Sequence, residues 1–232
     1  MKFEKKEVVN YLKSYAKHLK TKPYKELLKQ LKSDGYYNMM LGSNFGGMNM
    51  NLEDSVIAIS TLAEENLQAA HFVSGLNLIV HQPINKFGST LQKEKYLEFN
   101  NALKVGTLAV NEPDGAGFNQ IKCSLRKVDD NFYLSGIKSL ISNINDADYV
   151  LVFSNYYDSD KDCNNYTMLI LDMDDPNISV GKKESKMGLD NIEVGDIYFK
   201  NVLIKPENIL GGIGRGFEVL SYATNYMRLG IA

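Results

Sequence analysis

Hydrophobic residues change their period once, near Gly106, and that change limits the chain to helices first and strands after. Before it, Val8, Leu12, Tyr15, Ala16 and Leu19 repeat at helical spacing, with lysines on the other faces. Pro23 is placed to open a second helix striped by Leu27, Leu28 and Leu31, which Gly35 ends. A Gly/Asn/Met-rich loop spans Asn44 to Asn51, and Asn51 with Asp54 signals an N-cap ahead of Val56, Ile59, Leu62 and Ala63. Ala69, Phe72, Val73, Leu76, Ile79 and Val80 define a largely buried helix that Pro83 is expected to stop. Ser89 or Thr90 can cap the next one, through Tyr96 and Leu97 to Leu103. A domain of about four to six helices over residues 1–105 is expected.

From Gly106 to residue 212 the pattern is that of strands. Phe132 and Leu134 alternate with Tyr133 and Ser135; Tyr149, Leu151 and Phe153 alternate with Val150, Val152 and Ser154. Ile192, Val194 and Asp196 oppose Glu193, Gly195 and Ile197. Turn clusters such as Asp129-Asp-Asn131 and Asp174-Asp-Pro-Asn177 separate these runs, which predicts an antiparallel barrel or sandwich. After Gly211-Gly212 the helical period returns, with Phe217, Leu220, Tyr222, Ala223, Met227 and Ile231 on one broad face. A short apolar-faced helix needs partners, so residues 213–232 are expected to be the start of a truncated C-terminal helical domain. The fold class expected is α+β and multidomain: an all-α N-terminal domain, then the β domain, then that helical start.

Composition excludes several functions. The chain, 232 residues with 44% hydrophobic and 23% charged residues, has the make-up of a soluble globular protein with a real core. A net charge of −2 gives no electrostatic case for nucleic acid or an anionic membrane. No apolar run approaches the roughly 18 residues that span a bilayer. The basic, amphipathic N-terminus lacks the apolar core and cleavage site of a signal peptide, so a cytoplasmic location is the default. Cys123 and Cys163 make no disulfide framework and have no metal-ligand spacing; Cys123 is expected to pack as a small hydrophobe and Cys163 to lie in a polar loop. His71 and His81 are ten residues apart on helices and His18 lies on the basic first helix, so no metal site is expected. Gly211-Gly-Ile-Gly-Arg-Gly216 lacks a following Lys-Ser/Thr and is expected to be a linker, not a phosphate loop.

Residues 106–143 hold the candidate site. Leu108–Val110 and Leu140–Ile141 each lead into polar residues, and the Gly-rich turn Glu112-Pro-Asp-Gly-Ala-Gly117 lies between them. The layout suits two neighbouring strands whose ends present backbone groups to a flat polar ligand. Taken alone, such turns more often close loops, the apolar residues are ordinary strand core, and Asn111 and Ser142 can be turn-closing side chains. Glu112 and Asp114 fit turn and loop-end roles better than that of a base.

Ala109-Val-Asn-Glu-Pro113 with Gly115-Ala-Gly117 resembles the small-hydrophobic-Thr-Glu-Pro-x-x-Gly-Ser-Asp motif of the acyl-CoA dehydrogenase family. Gly136-Ile-Lys-Ser-Leu-Ile-Ser-Asn143, followed by Ala147-Asp148, resembles its Gly-x-Lys-x-Trp-Ile-Thr-Asn motif. Phe45-Gly-Gly47, Gly88 to Lys93 and Leu97, Lys186-Met-Gly188, Val202 to Pro206 and Gly214-Arg-Gly-Phe217 follow in the family's order. The resemblance implies FAD as cofactor, an acyl-CoA or acyl-carrier-protein thioester as substrate, and α,β-dehydrogenation with hydride passing to flavin N5. It also implies an electron-transfer flavoprotein or similar acceptor, a homodimer or homotetramer when complete, and a C-terminal four-helix bundle. By position it carries flavin contacts to Leu108, Val110, Asn111, Leu140, Ile141 and Ser142, and substrate contacts to Gly117, Phe118 and Arg228.

The sequence departs from the family in specific places. Asn111 stands for the usual Thr, and Leu140 for the usual Trp, forfeiting stacking worth about 0.5–1.5 kcal/mol. The turn is one residue longer, and Phe118-Asn119 replaces Ser-Asp. Met227 precedes Arg228 where a subset of members carries a catalytic Glu, so the base is expected outside this chain. A non-catalytic binding or scaffold subunit, or a monooxygenase or oxidase relative, are the alternatives.

Overall fold

A computed structural model describes residues 5–20, 22–98, 104–115, 117, 121–158 and 163–232. Among them, six α-helices precede the sheet: α1 (Lys5–Leu19), α2 (Tyr24–Ser33), α3 (Leu52–Glu65), α4 (Leu67–Ser74), α5 (Gln82–Phe87) and α6 (Thr90–Leu97). The caps lie where the sequence puts them. The Asn51 side chain accepts from Asp54 N at 2.9 Å, and Ser89 with Gln92 closes a capping box on α6. A cap not foreseen, Asn66 accepting from Ala69 N at 3.1 Å, separates α3 from α4. Leu12, Leu31, Leu62, Phe72 and Leu76 are the centre of this helical core.

Pro83 does not stop its helix. The chain runs from α4 through a π-helical segment, Gly75–His81, into α5, and Pro83 occupies the first turn of α5. A proline in the first turn lacks an N–H that has little call on a partner there, and a π segment just before it changes the hydrogen-bonding register. Gly88 ends the run instead, its N–H bonded to Ile84 O at 2.8 Å. Helix α6 ends at Leu97; the expected extension to Leu103 falls outside the described residues.

The strands are β1 (Gly106–Ala109), β2 (Ser124–Val128), β3 (Asn131–Ser142), β4 (Tyr149–Asp158), β5 (Cys163–Asp172), β6 (Ile178–Val180), β7 (Val194–Ile204) and β8 (Ile209–Leu210). They form an open sheet in the order β6-β7-β3-β2-β4-β5-β8, with β1 attached to β4. The sheet is not wholly antiparallel: β1 and β2 both pair with β4 in parallel, at Gly106↔Tyr149 and Ser124↔Asn155. Two short strands share one edge of β4, an arrangement that residue alternation cannot distinguish from antiparallel pairing. Cys163 starts β5 instead of sitting in a loop, and Cys123 is buried as expected. In β7 the inward residues are Gly195, Ile197 and Phe199, the opposite parity to the one expected, because buried Ile192 precedes the strand.

Strand β4 is buried on both faces. Val150 and Val152 join the β core, while Tyr149, Leu151 and Phe153 pack towards Val80, Ile84 and Tyr96 of the helices. Helix α7 (Gly216–Ile231) seals the same interface through Val219, Leu220 and Ala223, while Phe217, 51% exposed, lies off that face. A Cβ at Gly216 would stand 2.6 Å from Thr167 N, so glycine alone allows the first turn of α7 to rest on β5. Partners for α7 thus come from upstream: β5 and the π segment.

Candidate functional site

Strand β3 carries two register shifts against β7, the second between Lys138 and Ile141. There Leu140 takes φ +58° and stands 59% exposed, an unfavourable state for a bulky residue both in backbone and in burial. The bulge splits the side chains of this stretch: Lys138 turns fully inward, Leu140 outward, and Ile141 back into the β core. Beside it, the chain of β1 and its continuation is joined to β3 by Ser139 N to Asn111 O at 2.8 Å and by Thr107 Oγ1 to Ser142 O at 2.8 Å.

A buried ion pair holds this junction. Lys138 Nζ donates to Glu112 Oε1 at 2.8 Å and to Val110 O at 2.9 Å. Glu112 also accepts from the backbone N–H groups of Lys122 at 2.7 Å and Cys123 at 3.0 Å, tying the turn to the start of β2. The two side chains are 0% and 4% exposed. Glu112 is therefore no simple turn residue. Its carboxylate is fully committed to donors and is not free to take a substrate proton. Asp114 is exposed and paired with Lys122.

A cleft of about 220 Å³ opens between this junction and the helices. Leu108, Leu140 and Ser142 line its β side, and His71, Val80 and Met227 are among the residues opposite. A second cleft of about 270 Å³ adjoins it, walled by Ile59, Ala63, Ala70 and Leu189, and shares His71, Gly75, Ile79 and Ile231 with the first. Burial, with Lys186 adding repulsion, lowers the His71 pKa, so the imidazole facing both clefts is neutral near pH 7. No Asp or Glu lines either cleft.

Leu108, Leu140 and Ser142 are thus brought together. Val110 is half-buried, with its carbonyl taken by Lys138, and Asn111 is exposed opposite Ser139. Asn111 and Ser142 do not meet at a point. Three residues separate Ser139 from Ser142, so they lie about 10 Å apart at opposite ends of one junction. Ile141 contributes no side chain to the cleft. Gly117 is exposed, Phe118 lies outside the described residues, and Arg228 is exposed on α7, one residue beyond the cleft-lining Met227. Sequence reasoning missed Lys138, Thr107, Met227 and the cleft position of His71. Only Lys138 left a signal, as a lone charge sharing the parity of buried Leu134 along β3.

Comparison with known proteins agrees with this architecture. Residues 1–99 match the family model described as "Acyl-CoA dehydrogenase, N-terminal domain", and residues 107–202 match "Acyl-CoA dehydrogenase, middle domain". The chain belongs to the acyl-CoA dehydrogenase family. It is 33% identical over 211 residues to a probable short/branched chain specific acyl-CoA dehydrogenase of Dictyostelium discoideum, covering 90% of this chain and 51% of that relative. The butyryl-CoA dehydrogenase structure from Megasphaera elsdenii superposes with a TM-score of 0.86 at 26% identity, over 100% of this chain and 65% of that one. An acyl-CoA dehydrogenase of Bacillus anthracis, solved in complex with FAD, shares the fold at a TM-score of 0.81 and 22% identity, over 97% of this chain and 41% of that one. The chain spans about half the length of the curated relatives it matches.

Proposed function

We propose that residues 1–105 and 106–212 are the helical and β domains of a FAD-dependent acyl-CoA dehydrogenase, and that 213–232 begin its third, helical domain. The observation that carries this reading is Leu140: a bulky residue held at positive φ and exposed beside Leu108, in a cleft between β domain and helices. Strain of this kind persists where a ligand site uses it. The residues present fit an isoalloxazine ring. Leu108 and Leu140 offer apolar contact for its faces, and the backbone of Val110, Asn111, Ile141 and Ser142 supplies hydrogen-bonding groups for its polar edge.

When bound, FAD supplies the acceptor for the hydride leaving the β-carbon of an acyl thioester as the α-proton is removed. The chain's own part is to bind, orient and exclude water. Ile79, Val80 and Met227 wall the cleft with apolar surface, which keeps solvent from the reacting carbons. Gly117, Phe118 and Arg228 are assigned to the thioester's carrier, CoA or a carrier protein. No described carboxylate reaches the cleft and Glu112 is fully engaged, so the base is assigned to residues beyond this chain. The reading extends to fatty acid metabolism in the cytoplasm, electron transfer to a flavoprotein acceptor and a homodimeric or homotetrameric assembly. Among the described residues, no helix is long and apolar enough to cross a membrane.

The test is purification of the protein expressed from its full reading frame. A flavin absorbance spectrum, bleached anaerobically by butyryl-CoA or a longer acyl-CoA, is the expected result. A colourless protein that gains no flavin spectrum on titration with FAD refutes the reading. A yellow protein that no acyl-CoA bleaches makes it a flavin-binding relative without dehydrogenase activity.

A further inference from the structure

We infer that Gly75 is the specificity-determining residue for the acyl group, and that its missing side chain joins the two clefts into one channel for chains longer than four carbons. The inference rests on the acyl-CoA reading above. His71, Gly75 and Ile79 are spaced four residues apart along α4 and the π segment, and each lines both clefts. They form one stripe on the wall between the two spaces, and the glycine is the gap in it.

Nothing in the backbone or packing explains a glycine there. Gly75 has φ −56° and ψ −49°, ordinary right-handed helix that any residue adopts. A Cβ built on it meets nothing within 4 Å. Other glycines of the fold have plain packing reasons: a Cβ at Gly230 would stand 2.4 Å from a Leu78 methyl, and one at Gly106 would stand 2.4 Å from the Tyr149 ring. Glycine in a helix is less favourable than alanine, so a glycine that neither strain nor crowding requires breaks a local rule without structural return. Its effect is the open space it leaves.

The chemistry of the second cleft identifies what enters. Ile59, Ala63, Ala70 and Leu189 present apolar surface, and His71 is neutral. That lining favours an uncharged hydrocarbon tail over a carboxylate-tipped one. A thioester oriented against Leu108 and Leu140 would lead its tail past Gly75, so octanoyl-CoA is favoured over butyryl-CoA.

The test compares the full-length flavoprotein with its Gly75→Ala and Gly75→Leu variants. Two measurements are made: kcat/KM for butyryl-CoA and octanoyl-CoA, and calorimetric binding of the unreactive thioethers S-butyl-CoA and S-octyl-CoA. The ratio of octanoyl to butyryl turnover, and of octyl to butyl affinity, is expected to fall about tenfold or more in Gly75→Leu and less in Gly75→Ala. Gly75→Ala should melt at or above the wild-type temperature, since it fills open space on a helical backbone. Unchanged ratios, a wild type that handles only the butyl compounds, or a Gly75→Ala variant that melts lower overturns the inference while leaving the enzyme reading intact. A wild type that neither binds nor oxidises any of these compounds overturns both.

Discussion

Replacing Lys138 by Met tests how the site is held together. The side chain is 0% exposed, and its Nζ bonds both Glu112 Oε1 and Val110 O. Met fills a similar volume but supplies no donor, so the Glu112 carboxylate stays buried without its counter-charge, held only by the N–H groups of Lys122 and Cys123. Removing one partner of a buried pair costs about 3–5 kcal/mol, because the remaining charge is uncompensated. At about 2–4 °C per kcal/mol for a chain of this size, the melting temperature should fall by about 6–20 °C. Adding Glu112→Gln removes the stranded charge while keeping an acceptor for the two N–H groups, so the double variant should recover more than half of the loss. Urea denaturation of the four proteins, followed by circular dichroism, gives the coupling energy directly. A loss below about 1 kcal/mol for Lys138→Met, or a double variant no more stable than the single one, shows that the pair does not anchor this junction.

Three further outcomes follow from single residues. Leu140→Gly relieves a left-handed backbone that costs an ordinary residue about 1–2 kcal/mol, so stability should rise by about 1 kcal/mol while FAD affinity of the full-length protein falls; both moving in the same direction contradicts the strain argument. Burial lowers the His81 pKa to about 3, with a backbone hydrogen bond at Tyr37 opposing. The unfolded state binds this proton from pH about 6.5 downwards and the folded state does not, so its contribution is fully present above that pH and is lost as pH falls towards 3. His81→Leu should flatten stability against pH in that window, and an unchanged slope between pH 6.5 and 4 would exclude His81 as a source. Burial pushes the Cys123 thiol up to about 12, so iodoacetamide at pH 8 should label it only at the rate of global unfolding, as peptide mass mapping can show; fast labelling in native buffer refutes its burial.

The helices were legible because their stripes and caps are local signals: Asn51 and Ser89 start helices where the sequence places them. Pro83 misled because its effect depends on the hydrogen-bonding register of the preceding turn, which the π segment alters. The strands of the β domain were visible as alternation, but their parallel pairing with β4 depends on which strand occupies an edge. At the candidate site, Leu108, Leu140 and Ser142 were foreseen by resemblance and do meet in the cleft. Ile141 was misplaced because a one-residue bulge reverses the parity of everything beyond it.

The amino-acid sequence by itself determined the order of helical and β units, the caps and the family motifs, because periodicity, turn chemistry and short motifs involve residues close along the chain. Only the tertiary structure decided that Glu112 and Lys138 form one buried pair, that Leu140 stands exposed at positive φ, and that His71, Gly75 and Met227 face the same space. Each of those facts joins residues far apart in sequence, across faces fixed by packing and by a register shift that no local pattern encodes.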